Sequence, residues 1–246
     1  VRAFGRWLLW LAAAALALQL FFIGRIALMA VVDPQSTAFM RSEAWRLAVA
    51  QQGVPRWRQQ WVPYEDISPQ LKRAVMAAED ADFNNHKGVD WEAIETAWEK
   101  NAKRAELAEQ RAARAKDPSK VKPPKVVGGS TITQQLAKNL LLSGERHLLR
   151  KGQEFVLTLA LELLLDKRRI LEIYLNSVEW GEGVFGAEAA AQRYFRKTAK
   201  SLSSTEAARL AVMLPSPKFF ETRPGSPYLA GRAATIAARM GAVQAP

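Results

Sequence analysis

The sequence predicts an all-α protein, one membrane-spanning helix followed by a helical domain. Three observations carry this. From Trp7 to Gly24 no residue is charged and Gln19 is the one strongly polar side chain. From residue 68 to about 240, apolar residues recur at three- and four-residue spacing between cap residues, prolines and glycines. No segment shows the alternation of a strand, and no internal repeat appears. At 246 residues, 49% hydrophobic and 24% charged, the chain suits one large packed domain or two small ones.

Taken in order, the Trp7–Gly24 run would span roughly 27 Å as a helix, close to a hydrocarbon core of about 30 Å. It exceeds the ~7–15 apolar residues of a cleaved signal peptide. Arg25 suits the far interface by snorkelling, and Trp7 and Trp10 the near one. Arg2 and Arg6 precede the span, so residues 1–33 are expected to be a cytoplasmic stub and a single-pass anchor, with the rest outside the cytoplasm. Residues 34–66 form a membrane-proximal segment in which Trp45, Trp57 and Trp61 are expected to pack in a core. The main domain covers 67–246. Ser68-Pro69 reads as an N-cap and first helical position, and Leu71, Val75 and Ala78 give that helix an apolar face. Asp90 caps a helix over 90–115 with Trp91, Ile94 and Trp98 on one face. Helices follow at 131–142, 148–165 (with Phe155, Leu159 and Leu163 as its buried stripe), 167–176, 186–195, 203–214 and 227–240.

Charge and composition narrow the chemistry. The absence of cysteine excludes disulfides, thiolate metal sites and a cysteine nucleophile, and two histidines, His86 and His147, are too few for an ordinary zinc site or an obvious Ser-His-Asp arrangement. The net charge of +11 calls for a polyanionic partner. A domain outside the cytoplasm does not meet nucleic acid, so the polyanion is a lipid headgroup or a membrane-bound phosphate. The stretch 100–127 is an Ala-, Lys- and Arg-rich insertion or loop, with nine basic residues between 100 and 125 against Glu106, Glu109 and Asp117. Much of the net charge is therefore peripheral. Gly128-Gly129-Ser130-Thr131 matches a phosphate-cradling loop only superficially.

What remains is a carboxylate system beside cations. Glu79 and Asp80 end the helix that starts at Pro69, where the helix dipole disfavours negative charge, so a carboxylate there is either paired or retained for chemistry. Arg150 and Lys151 precede Glu154 by about one helical turn; Glu162 and Glu172 lie farther on as structural candidates. Thr131, Gln135 and Asn139 follow a four-residue spacing, with Lys138 adjacent, and form one wall of a cleft or an ordinary polar face.

The blocks Glu79-Asp80-Ala-Asp-Phe83-Asn-Asn-His86-Lys-Gly88-Val-Asp-Trp91, Gly128-Gly-Ser130-Thr131-Ile-Thr-Gln-Gln135-Leu-Ala-Lys138-Asn139, Arg150-Lys151-Gly-Gln-Glu154 and Ile170-Leu-Glu-Ile-Tyr-Leu-Asn176 with Gly181 occur in this order. Together they resemble the family 51 glycosyltransferases, the peptidoglycan glycosyltransferases, over about residues 63–240, and most of all the monofunctional branch. The resemblance implies a lysozyme-like bilobal all-α fold and polymerisation of lipid II into β-1,4-linked glycan at the inner membrane, the domain being periplasmic. By resemblance Glu79 is the general base and Glu154 the second acidic residue. Lys138, Arg150 and Lys151 meet the pyrophosphate, with Thr131, Gln135, Asn139, Asp80 and His86 in the same site. Phe83, Gly88, Ser130, Asn176 and Gly181 shape it, the last two at the cleft floor. No cofactor is required, a divalent cation (Mg²⁺ or Mn²⁺) at the pyrophosphate being an option. The partners implied are lipid II, the growing glycan chain, the membrane and other cell-wall synthesis or division proteins. Too little chain follows the blocks for a second catalytic domain, so no transpeptidase activity is expected. Two rivals stand beside this. A glycan-cleaving enzyme needs a carboxylic acid for a sugar leaving group but no cation cluster. A cationic scaffold would not depend on Glu79.

Overall fold

The computed structural model describes residues 2–50, 57–115, 117, 121, 123–124, 126–142 and 148–246. His147, Pro55 and Lys116, Lys120, Lys122 and Lys125 of the basic stretch lie outside them. The architecture is all-α: α1 (Arg2–Leu28), α2 (Ala38–Ala50), α3 (Pro69–Glu79), α4 (Trp91–Arg114), α5 (Ile132–Leu141), α6 (Leu148–Leu164), α7 (Lys167–Ser177), α8 (Ala187–Phe195), α9 (Ser204–Met213), α10 (Pro217–Glu221) and α11 (Pro227–Arg239).

Local chemistry sets most of the boundaries. Ser68 Oγ accepts from the Gln70 amide at 3.2 Å, with Pro69 opening α3. Asp90 caps α4 through the Ala93 amide at 2.8 Å, and Asp166 caps α7 through that of Arg169 at 2.7 Å. Thr131 with Gln134, and Ser203 with Glu206, form reciprocal capping boxes at α5 and α9. Each satisfies amides that a helix start leaves without a partner.

Two packed groups of helices share one hydrophobic core. α3, α9 and α11 pack together on one side, and α5 packs on α6 and α7 on the other. α1 joins the second group. Its Ile26 and, just beyond its end, Met29 enter the core, and Gln19 exchanges side-chain hydrogen bonds with Gln153 of α6 at 2.6 and 3.0 Å. Ala3–Leu28 is long and apolar enough to cross a membrane, and its face is exposed in the folded chain.

Three expectations are corrected. A small sheet exists: β1 (Arg58–Gln59) runs parallel to β3 (Val184–Phe185), which runs antiparallel to β2 (Glu179–Gly181). Strands of two or three residues are too short for alternation to show. Trp45 is 74% exposed rather than packed in a core, whereas Trp57 packs at a tilt on Phe185 with centroids 4.6 Å apart. The stripe Phe155–Leu159–Leu163 of α6 faces outward, Leu163 at 84% exposure, while Leu157, Thr158 and Leu161 face the core. α6 also carries Arg150, Lys151, Glu154, Thr158 and Glu162, of which Glu154 and Thr158 are buried, so periodicity fixes the helix but not which face is buried. Trp91 and Trp98 on α4 are likewise exposed.

Candidate active site

Glu79 is the last residue of α3 and stands where the two helix groups meet. Its carboxylate accepts from Gln135 Nε2 of α5 at 2.9 Å. Gln135 Oε1 in turn accepts from the Tyr174 hydroxyl of α7 at 3.0 Å. Burial, reinforced by Glu79 and Asp80, holds the Tyr174 phenol well above its usual range, so it stays a donor and fixes which end of the Gln135 amide meets Glu79. Burial also raises the Glu79 pKa; the Gln135 hydrogen bond opposes this, Asp80 adds to it, and Arg232 and Lys138 oppose it. On its other side Glu79 lines a cavity of about 640 Å³, together with Ser216, Phe219, Phe220, Tyr228 and Arg232 of the α9–α11 region.

Asp80 is committed to the scaffold. Its Oδ2 accepts from the Ile132 amide at the start of α5 at 2.9 Å, setting a negative charge on that helix's positive end. Its Oδ1 lies 2.9 Å from His86 Nε2, and His86 Nδ1 accepts from the Gly88 amide at 3.1 Å, so in the neutral ring Nε2 carries the proton. Thr131 Oγ1 donates to the Gly88 carbonyl at 2.6 Å. Gly88 has φ +84°, and a Cβ there would meet Thr158 Cγ2 at 2.7 Å, so only glycine fits. Asp80, His86, Gly88 and Thr131 thus join α3 to α5 and set the position of Glu79. Phe83 is fully buried under Lys167, whose ammonium lies 4.4 Å from its ring centroid.

The second group sits on α6. Glu154 is 4% exposed and takes Arg150 Nη1 at 3.2 Å on one oxygen and Lys151 Nζ on the other. α5 is shared by both groups, with Lys138 one turn from Gln135, exposed at the helix's last turn and acting on Glu79 through its charge. Asn139 is half-buried beside it and Ser130 is exposed before the cap. A resident divalent cation fits this donor set poorly. Both Glu154 oxygens are already met by cations, and the described residues contain no cluster of three or more His, Asp or Glu side chains.

Asn176 is not at a cleft floor. It is fully buried, its amide accepting from Val62 N at 3.0 Å and donating to the Val62 and Glu172 carbonyls, which pins the membrane-proximal segment to α7. Gly181 lies in β2, where a Cβ would come within 2.4 Å of the Tyr194 hydroxyl and 3.0 Å of Glu221 Oε2, so glycine lets α10 close on the sheet. Glu162 ties Thr133 to Lys167, and Glu172 ties Tyr64 to Arg169. Sequence reasoning missed Tyr174 and the α9–α11 wall. Pro215, Pro217, Pro224 and Pro227 punctuate the chain there, but Arg232 on an alanine-rich helix carries no spacing signal.

Comparison with known proteins fits this geometry. The family model described as Transglycosylase matches residues 47–241. The biosynthetic peptidoglycan transglycosylase of Burkholderia thailandensis is 55% identical over all of this chain and 90% of its own length. Those of Burkholderia pseudomallei and Paraburkholderia xenovorans are 53% and 50% identical, over 100% and 98% of this chain. With a family match over most of its length and relatives of 50–55% identity across nearly all of it, this chain belongs to the Transglycosylase family.

Proposed function

We propose that the protein is a peptidoglycan glycosyltransferase of cell-wall biosynthesis that polymerises lipid II into β-1,4-linked glycan and releases undecaprenyl pyrophosphate. The observation that carries it is Glu79, a desolvated carboxylate oriented by Gln135 at the edge of a cavity of about 640 Å³. The acceptor's GlcNAc 4-hydroxyl attacks C1 of the donor's MurNAc. Its proton passes to Glu79, the new C1–O bond forms on the face opposite the leaving group, and the bond to the pyrophosphate breaks with its electron pair. An α-linked donor thereby gives a β linkage. General-base catalysis of this kind contributes roughly 10²–10⁴ in rate. Lys138, Arg150 and Lys151 meet the charge that develops on the diphosphate, and Glu154 holds Arg150 and Lys151 in place for it. Every group in this scheme belongs to the chain, and no step runs through a metal.

The membrane side of the chain supports a lipid-linked substrate. Gln153 meets α1 at Gln19, roughly 13 Å below Leu28 along the helix axis. With α1 in the inner membrane, N-terminus cytoplasmic and the domain periplasmic, the outward face of α6 (Leu149, Phe155, Leu159, Leu163) sits in the outer leaflet where a polyprenyl tail lies. The activity proposed is glycosyl transfer alone. Ser119-Lys120-Val121-Lys122 does match the Ser-x-x-Lys spacing of a transpeptidase, but it falls in the basic stretch, and Ser119 and Lys122 lie outside the described residues. Lipid II polymerisation by Glu79→Gln and Glu154→Gln, with folding followed by circular dichroism, tests the scheme. Glu79→Gln should lose nearly all product at unchanged folding; full activity in that variant rules out the base, and release of fragments from finished glycan marks a cleaving enzyme.

A further inference from the structure

Burial works against Glu79 as a base, because it favours the protonated acid that cannot accept the acceptor's proton. Positive charge has to offset it. The groups around the carboxylate are Asp80 at the end of its own helix, Gln135 and Lys138 on α5, Tyr174 on α7, and Arg223, Tyr228 and Arg232 along the shared cavity. Asp80 opposes ionisation, and its oxygens are committed to His86 and the Ile132 amide. Tyr174 is a neutral donor to Gln135. Arg223 lies over the Phe219 ring, 4.1 Å from its centroid, and donates to the Phe219 carbonyl. Among the described residues, Arg232 and Lys138 are the cations whose charge favours the ionised carboxylate. They approach from opposite helix groups. Lys138 is also assigned to the departing diphosphate, whose negative charge draws on it as the bond breaks.

We propose that Arg232 of α11, which lines the same cavity as Glu79, is a positioning residue for the transfer, its charge holding that carboxylate in the ionised form that receives the acceptor's proton. This rests on Glu79 being the base. The cations then divide the work: Lys138, Arg150 and Lys151 on α5 and α6 serve the leaving group, and Arg232 on α11 serves the base.

The test is the pH dependence of lipid II polymerisation by the full-length protein carrying Arg232→Gln, Arg232→Lys or Arg232→Glu, beside Glu79→Gln. Arg232 is exposed on the cavity wall, so these changes open no void in the core, and thermal melting verifies it. Arg232→Gln should be several-fold slower than the parent at the acidic end of the profile, with the gap closing at the alkaline end. Arg232→Lys should restore the parent's profile, and Arg232→Glu should carry the loss to higher pH. An unmoved acidic limb overturns the inference, whether the rate is unchanged or lowered by the same factor at every pH; so does Arg232→Lys behaving like Arg232→Gln. Full activity in Glu79→Gln instead overturns the base itself. An inactive Glu79→Gln with an unmoved limb in Arg232→Gln overturns the role of Arg232 alone.

Discussion

Tyr174→Phe removes one oxygen atom and separates orientation of the base from packing around it. Tyr174 is 1% exposed, and its hydroxyl donates to Gln135 Oε1 at 3.0 Å. Without that donor the Gln135 oxygen loses its partner, and a net cost of about 1–2 kcal/mol in stability is expected. For a domain of this size each kcal/mol lowers Tm by about 2–4 °C. The catalytic effect is larger in kind. The freed amide can turn and present its oxygen to Glu79, replacing an attractive contact at 2.9 Å by a repulsive one. A hydrogen bond to a charged group is worth roughly 1.5–3 kcal/mol, which corresponds to about ten- to a hundredfold in rate where Glu79 must be ionised. The Gln135 contact favours the ionised form, so its loss moves the acidic limb of the rate profile to higher pH. Initial rates of lipid II polymerisation across pH, with a melting curve for the same sample, read both effects. A fall in Tm accompanied by the parent's rate and acidic limb would refute the relay and leave Tyr174 as packing.

Two further perturbations probe other parts of the molecule. Glu179 is 7% exposed, its Oε1 lies 3.4 Å from Lys218 Nζ of α10, and burial raises its pKa to about 7, with Lys218 opposing. A folded-state pKa above the unfolded one means that this contribution is fully present below the unfolded value and is lost as pH rises through about 7. Glu179→Gln should therefore flatten the decline and leave the variant about 3 kcal/mol more stable than the parent at alkaline pH, as urea titrations at several pH values would measure. Leu163→Lys changes a side chain that is 84% exposed, so stability should stay within the ~0.5 kcal/mol typical of surface changes while polymerisation in lipid vesicles falls. Equal activity in vesicles would show that the outward face of α6 does not meet lipid.

How much was legible in the sequence depended on whether a feature is local. Caps and proline breaks act within three residues, so Ser68-Pro69, Asp90 and the starts of α9 and α11 could be placed beforehand. Glu79 stood out for the same reason, as a carboxylate at a helix end where the dipole opposes it. The burial direction of α6 is decided by α1 and α5 packing on one side, which periodicity does not record. The α9–α11 wall and the Tyr174–Gln135–Glu79 relay join residues dozens of positions apart, with no spacing rule to connect them. Asn176 was visible within a matching block but placed wrongly, because a fully buried amide bridging one backbone segment looks in sequence like any polar site residue.

The adjacent carboxylates Glu79 and Asp80 show how one helix end can carry both structure and chemistry. Two negative charges at the C-terminus of α3 are unfavourable by the dipole of that helix. Asp80 escapes the cost by turning to the amide of Ile132, where the start of α5 supplies the complementary dipole, and by taking a proton donor from His86. In doing so it fixes α5 against α3, which brings Gln135, one turn further along, to Glu79. Glu79 is left with a neutral donor and cations at longer range, the environment of a carboxylate that can gain and lose a proton rather than one locked in an ion pair. Asp80→Asn should then lower stability and polymerisation together, since the same contact that relieves Asp80 sets the register between base and cleft.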